Sequence, residues 1–267
     1  LALIGDTGVE SFLCLVSLND RVSVGVSLTF CGAFRPRVVS RLNQNCPGNE
    51  QSAIGRIVKK GVAIMSATPL LFTPMTIRGL RLPHRLWVSP MCQYSALEGV
   101  VQYWHQVHLG ALALGRPGLI IAEATSVVPG GRISPDDSGL WNDEQAHAWR
   151  PIIEFSHSQG TPMALQLAHA GRKASTGSPF ASDGLAVGID QGGWETEAPS
   201  ALAYGNLPRP HELSPNRIDT IVESFAAATR RAVNAGFDVI EVHAAHGYLL
   251  HEFLSPLSNL RDDSYGG

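Results

Sequence analysis

The sequence predicts an α/β fold in which parallel strands alternate with outer helices and curl towards a β/α barrel. Three observations carry that prediction. Four short apolar segments around Val88, Ile121, Leu165 and Ile240 are separated by longer stretches with helical periodicity, the pattern of parallel strands joined by helices. Polar or reactive residues stand at the carboxyl ends of these segments: Cys92 after the first, Gln166 and His169 on the third, His243 and His246 after the fourth. A β/α barrel gathers its chemistry at that face. Finally, no G-x-G-x-x-G follows the first strand, so the doubly wound alternative lacks its usual mark.

Residues 1–64 stand apart from this pattern. Short apolar pieces alternate with Gly, Ser and Arg, while Asp6, Glu10, Asp20 and Glu50 interrupt any targeting layout. Met65 is the first methionine, and the expectation is that Met65-Ser66-Ala67 is the native start. Residues 1–64 are then a mis-set start or disordered read-through, and 65–267 are the folded unit.

From Met65 the elements follow in order. Thr76 to Leu82 reads as a hairpin turning on Gly79. Leu86 to Met91 is a first buried strand stopped by Pro90, and a helix over Trp104 to Leu114 is closed by Gly115. Leu119 to Ala124 is a second strand, almost wholly apolar. Asn142 or Asp143 caps a helix running towards Gly160, with a kink or break at Pro151. Pro162 to His169 is the third strand. The excursion from Gly171 to Leu213, rich in Gly, Ser and Pro, is too long for an ordinary connection and reads as a lid or substrate loop. Ser214 and Pro215 fit N-cap and N1 of a helix whose Ile218, Ile221, Val222, Phe225, Ala228, Ala232 and Val233 follow helical spacing. Gly236 ends it, and Phe237 to Val242 is the fourth strand.

Composition narrows the function. With 20 basic against 23 acidic residues, a net charge of −3 and no basic tract, neither nucleic acid nor an anionic membrane surface is a favoured partner. Apolar runs fall short of the roughly 18 residues of a membrane span. Cys14, Cys31, Cys46 and Cys92 are widely spaced with no C-x-x-C pair, which points to a reducing cytoplasm and to small-molecule chemistry.

Five motifs then carry a resemblance: Ser89-Pro90-Met91-Cys92-Gln93-Tyr94; Glu123-Ala124; Gly131-Arg132-Ile133; Gln166-Leu167-Ala168-His169-Ala170-Gly171-Arg172-Lys173; and His243-Ala244-Ala245-His246-Gly247-Tyr248-Leu249. The tail from Ser255 to Asn259 and from Asp263 to Gly267 extends it. In order and spacing the chain resembles the old yellow enzyme family of FMN-dependent ene-reductases, in particular its bacterial xenobiotic-reductase-like subclass. The resemblance implies a (β/α)8 TIM barrel, here truncated after about the fourth strand. The strand-five arginine and the glycine-rich phosphate loops of strands seven and eight would then lie outside this chain.

Site residues follow from the same resemblance. Ser89, Pro90, Met91, Cys92, Ala124 and Gln166 would line FMN, with NADPH or NADH as hydride donor. His243 and His246 would hold the carbonyl of an enone substrate, Tyr94 would wall its pocket, and Tyr248 would be the catalytic acid. A phenol of ordinary pKa about 10 keeps its proton at neutral pH, as that role needs. Arg172 and Lys173, beside His169, could attract the cofactor phosphate or form a solvated rim. The resemblance leaves room for a homo-oligomer of the full-length parent. Two alternatives stand beside it. Half a barrel with unpaired strand edges would be an inactive fragment that binds FMN poorly in isolation. His243 and His246 with His251 or Glu252 would instead suit a metal-dependent barrel hydrolase, although a pair at a strand end lacks the one-face helical presentation of H-E-x-x-H.

Overall fold

The computed structural model describes residues 68–266 apart from Asp183, together with the backbone of a two-residue strand, β1 (Ser23–Val24). The expectation for a start at Met65, and otherwise for residues 1–64, lies outside the described residues. An antiparallel hairpin, β2 (Met75–Ile77) and β3 (Leu80–Leu82), leads into β4 (Trp87–Val88), α1 (Tyr103–Leu114) and β5 (Leu119–Ser126). Then come α2 (Asp143–Ser158), β6 (Met163–Ala168), the short α3 (Pro179–Ser182) and a small parallel pair, β7 (Glu197–Ala198) and β8 (His211–Glu212). The long α4 (Pro215–Ala235), β9 (Val239–Val242) and α5 (Leu249–Leu254) complete the order. The main sheet is parallel throughout, in the order β1-β9-β6-β5-β4. Within it, β5 pairs with β4, β6 with β5 and β9 with β6, each after a crossover that carries a helix, as in the first half of a β/α barrel.

Register sorts the side chains into layers. Ile121, Ala164 and Val239 lie side by side across three strands, and with Leu119 they pack on Leu82. Met75, Ile77, Leu80 and Trp87 close around that cluster, so the hairpin floors the inner face. One layer towards the carboxyl ends, Ala124, Gln166 and Glu241 are aligned. Alternate residues Ile120, Ala122, Leu165, Leu167 and Ile240 face the helices, where fully buried Trp149 meets the rings of Phe237 and His105. One inner stripe thus changes from aliphatic to polar, which directs the chemistry to the strand ends.

Local signals explain the helix ends. The Asn142 side chain accepts from Gln145 N at 2.9 Å while Gln145 Oε1 accepts from Asn142 N at 3.2 Å, a capping box that makes Asn142 the cap rather than Asp143. Ser214 caps α4 with Pro215 in its first turn, and Gly236 ends it at φ 115°, a left-handed conformation glycine adopts without strain. Pro151, expected to kink or break α2, sits inside an uninterrupted helix. Both Pro151 and His147, whose carbonyl loses its partner, are exposed, so water can satisfy that group. The first strand is shorter and less buried than expected: only Trp87–Val88 pairs, both are half-buried, and Met91 is 50% exposed. Pro90 offers no N–H to extend the ladder. The hairpin turn places its left-handed residue at Arg78 rather than Gly79, and the turn after α1 places it at Arg116 while Gly115 stays right-handed.

The excursion after β6 is tied down along its length. Trp194 Nε1 donates to Gly130 O at 2.9 Å, and the Arg132 guanidinium lies 4.9 Å from the Trp194 ring and 5.4 Å from Trp141. Further on, Arg217 pairs with Glu197 through both carboxylate oxygens, and Arg261 donates to Pro199 O and Leu213 O.

Candidate active site

Backbone geometry at the end of β9 assembles the central cluster. His243 N donates to Leu167 O at 2.9 Å, extending the ladder by one residue. His246 and Gly247 then take φ of 57° and 71°, and two left-handed residues in succession reverse the chain. Gly247 N donates to His251 Nδ1 at 2.8 Å, while Tyr248 becomes the N-cap of α5. The His243 ring consequently lies 5.1 Å from both the His246 ring and the Tyr248 ring, edge to face with each. Among the described residues, no protein group hydrogen-bonds the imidazoles of His243 and His246, the Tyr248 hydroxyl or the amide of buried Gln166.

Burial sets the protonation of this cluster. Desolvation, reinforced by His246, Lys173 and His251, lowers the His243 pKa to about 4, leaving a neutral imidazole at pH 7 that can donate one N–H. Desolvation pushes the Tyr248 phenol well above its ordinary value, with Cys92, Tyr94 and Asp137 adding to the rise. The same forces act on Cys92, where burial comes first and the Asp137 and Glu123 carboxylates follow. This thiol is held neutral, and only a thiolate is a strong nucleophile. Cys92 in the folded chain is therefore expected to alkylate at least about tenfold more slowly at pH 8 than in denaturant. Peptide-resolved iodoacetamide kinetics would measure it, and equal rates would remove the case for a neutral thiol.

Glu123 occupies a register shift of β5 between Ala122 and Ala124, the kind of bulge that re-aims a side chain. Its Oε2 accepts from Gln93 N at 2.7 Å, and its Oε1 lies 2.8 Å from Nε2 of fully buried His105. His105 Nδ1 in turn accepts from Gln102 N at 3.0 Å, at the start of α1. A shallow, partly open cleft lies between Val88, Met91, His108, Leu112 and this carboxylate, and none of His243, His246 and Tyr248 lines it.

Glu252 is a second buried acid. Oε1 accepts from Arg172 N at 3.0 Å and Oε2 has no partner among the described residues, in space left by the missing Cβ of Gly171. Burial, only partly offset by Arg172 and Lys173, raises its pKa to about 8, and burial raises that of Asp137 to about 7. Raised acids stabilise the fold below their unfolded pKa and lose that contribution as pH rises through the folded value. His169 and His243, both lowered to about 4, act in the opposite sense, since their contribution is lost as pH falls below about 6.5. Above about 6.5 the histidines no longer titrate in either state, so stability is expected to fall between about pH 6.5 and 8 with a slope of up to about 1.4 kcal/mol per unit per group. Urea midpoints against pH would show it, and Glu252→Gln should flatten the upper part of the curve.

The predicted residues are brought together unequally. His243, His246 and Tyr248 form one cluster, and Cys92 and Tyr94 lie close enough to influence Tyr248. Gln166 and Ala124 sit in the layer below. Ser89 and Met91 are exposed and Pro90 half-buried, on the segment joining β4 to Cys92. Tyr94 takes φ 49° and meets the ring of Phe180, on α3 of the excursion, at 5.9 Å. Sequence reasoning missed Phe180 and the Glu123–His105 link, and it named Glu252 only as an alternative metal ligand. A lone acid in an otherwise apolar strand was the available signal for Glu123; nothing local marked Phe180. Lys173 does not form a solvated cationic rim with Arg172: its Nζ donates to His246 O at 2.8 Å and lies 4.8 Å from the Tyr248 ring.

Comparison with known proteins adds an independent finding. Residues 70–267 match the model of the NADH:flavin oxidoreductase / NADH oxidase family. An NADH:flavin oxidoreductase of Gibberella zeae is 49% identical over 206 residues, which span 76% of this chain and 50% of that protein. An NADPH dehydrogenase of Geobacillus thermodenitrificans is 45% identical over 201 residues, 74% of this chain and 54% of that protein. Among solved structures, morphinone reductase in complex with tetrahydroNAD superposes with a TM-score of 0.65 at 33% identity, over 75% of this chain and 56% of that one. The old yellow enzyme homologue from Zymomonas mobilis gives 0.64 at 29%, over 74% of this chain and 55% of that one. The chain thus spans about half the length of the relatives it matches.

Proposed function

The chain belongs to the NADH:flavin oxidoreductase / NADH oxidase family, and from that membership we propose that the whole protein uses FMN to reduce the activated C=C bond of α,β-unsaturated carbonyl compounds, with NADPH or NADH as the source of hydride. The observation that carries the reading is the cluster of His243, His246 and Tyr248 at a strand end, its ring nitrogens and hydroxyl unengaged by protein among the described residues.

The residues fit the ring end of a flavin. Gln166 presents a buried amide, both donor and acceptor, with no partner among the described residues, which suits the edge of a heteroaromatic ring. Ser89, Pro90, Met91, Cys92 and Ala124 are the further residues that would line it. When bound, FMN supplies the hydride that the substrate receives at its β-carbon. His243 and His246 would donate to the substrate carbonyl, stabilising the negative charge that develops on its oxygen. Tyr248 would give its proton to the α-carbon. Tyr94, extended by Phe180, would wall the pocket. We place the protein near the xenobiotic reductases on the strength of Cys92-Gln93-Tyr94, and in the cytoplasm. This chain by itself is proposed to hold FMN weakly.

No helix of the described residues is long and apolar enough to cross a membrane. Nor do three His, Cys, Asp or Glu side chains converge there to hold a metal ion. The deciding experiment is on the whole protein: release of FMN on denaturation together with enone-dependent consumption of NADPH or NADH. Bound zinc without flavin, or flavin without enone-dependent turnover, would overturn the proposal.

A further inference from the structure

We propose that Lys173 is a positioning residue that holds its ammonium against Tyr248 and steadies the phenolate left behind when Tyr248 delivers its proton. The inference rests on the reading of Tyr248 as the proton donor. Its geometry is independent of that reading. Lys173 ends the 3-10 turn Gly171–Lys173, whose middle N–H, that of Arg172, is held by the buried Glu252 carboxyl at 3.0 Å. From there the ammonium donates to His246 O at 2.8 Å and lies between two aromatic faces, 4.8 Å from the Tyr248 ring and 4.9 Å from the Tyr204 ring. One side chain therefore fixes the left-handed His246 backbone and places a positive charge on the phenol next to it.

A cation over a neutral phenol gains only a modest cation–π attraction. Once the proton leaves, the ring over which the ammonium lies carries negative charge. An interaction that strengthens as the reaction proceeds lowers its barrier. The need is evident in the neighbourhood, because burial opposes negative charge on Tyr248 and the Asp137 carboxylate adds to it. Among the described residues, Lys173 is the cation in contact with the Tyr248 ring. In the step itself the O–H bond of Tyr248 breaks, the electron pair of the substrate enolate forms the new C–H bond, and water restores the phenol proton.

The test replaces Tyr248 by a polyfluorinated tyrosine, acidified far enough to ionise below the Lys173 ammonium, whose own pKa burial lowers, and follows its ionisation by 19F NMR in the whole protein. Lys173→Gln and Lys173→Met are expected to raise the pH of half-ionisation by about one unit or more, and Lys173→Arg to restore it. An unchanged midpoint in Lys173→Gln, or a midpoint restored by Gln as fully as by Arg, would overturn the proposal and leave Lys173 only its bond to His246. If Lys173→Met fails to fold, Lys173→Gln still decides, since it keeps a donor for the carbonyl. The titration needs no turnover. Should Tyr248→Phe retain full enone-dependent activity, the proton-donor reading fails while the effect of Lys173 on the phenol is still read.

Discussion

Tyr248→Phe is expected to lower the enone-dependent rate of the whole protein by about 10² to 10⁴, the usual worth of a positioned proton donor. Flavin reduction by nicotinamide, which uses no phenol proton, should change by less than about threefold on the same argument. The substitution isolates the hydroxyl because the ring contacts are kept: phenylalanine can still meet His243 edge to face at 5.1 Å and still lie 4.8 Å from the Lys173 ammonium. Burial and neighbouring acidic groups hold the Tyr248 pKa above the ordinary tyrosine value, so its proton is present throughout the neutral range. His243, lowered to about 4, is a neutral donor over that range as well. The parent rate should therefore show no limb from Tyr248 or His243 between about pH 6 and 9. Stopped-flow measurement of the two half-reactions separates the outcomes, and a Tyr248→Phe enone rate within about threefold of the parent would remove Tyr248 from the chemistry.

Much of the framework was legible in the sequence because its signals are local. The apolar runs at Leu119 and Met163, the Ser214-Pro215 start and the Gly236 stop each dictate an element through residues in direct succession. The cluster of His243, His246 and Tyr248 was legible for the same reason, since it is built within six residues by one left-handed turn. What escaped was set by tertiary pairing. Pro151 breaks no helix because its orphaned carbonyl partner lies on the solvent side of α2. Phe180 reaches Tyr94 from a residue 86 positions away, and Lys173 reaches the His246 carbonyl across 73. Whether a lysine after Gly-Arg faces water or a tyrosine ring depends on how Glu252 holds the Arg172 N–H, and periodicity carries no trace of that bond.

Glu123→Ala is expected to destabilise the fold by about 2 to 5 kcal/mol, the cost of leaving two buried donors without their acceptor. Three elements meet on this carboxylate. It belongs to β5, accepts from Gln93 in the segment after β4, and faces His105, whose other ring nitrogen accepts from the backbone that opens α1. The side chain of Glu123 is 3% exposed and that of His105 is 0% exposed, so water cannot replace the lost acceptor without opening the core. Alanine would leave the Gln93 N–H and the His105 ring unmet at once. Glu123→Gln keeps one acceptor oxygen and should lose less; read from urea unfolding midpoints, the difference between the two variants isolates that acceptor, and the loss in Glu123→Gln against the parent reports the charge. A second consequence reaches the candidate site. Glu123 is one of the two carboxylates that oppose ionisation of Cys92, and Gln93 immediately follows that cysteine. In Glu123→Gln, where the fold is better preserved, the Cys92 thiol should therefore alkylate faster than in the parent. A loss below about 1 kcal/mol in Glu123→Ala, within reach of an ordinary surface hydrogen bond, would mean that the strand ends are held by packing alone. In that case the segment carrying Ser89 to Tyr94 would owe its position to the β4–β5 ladder instead.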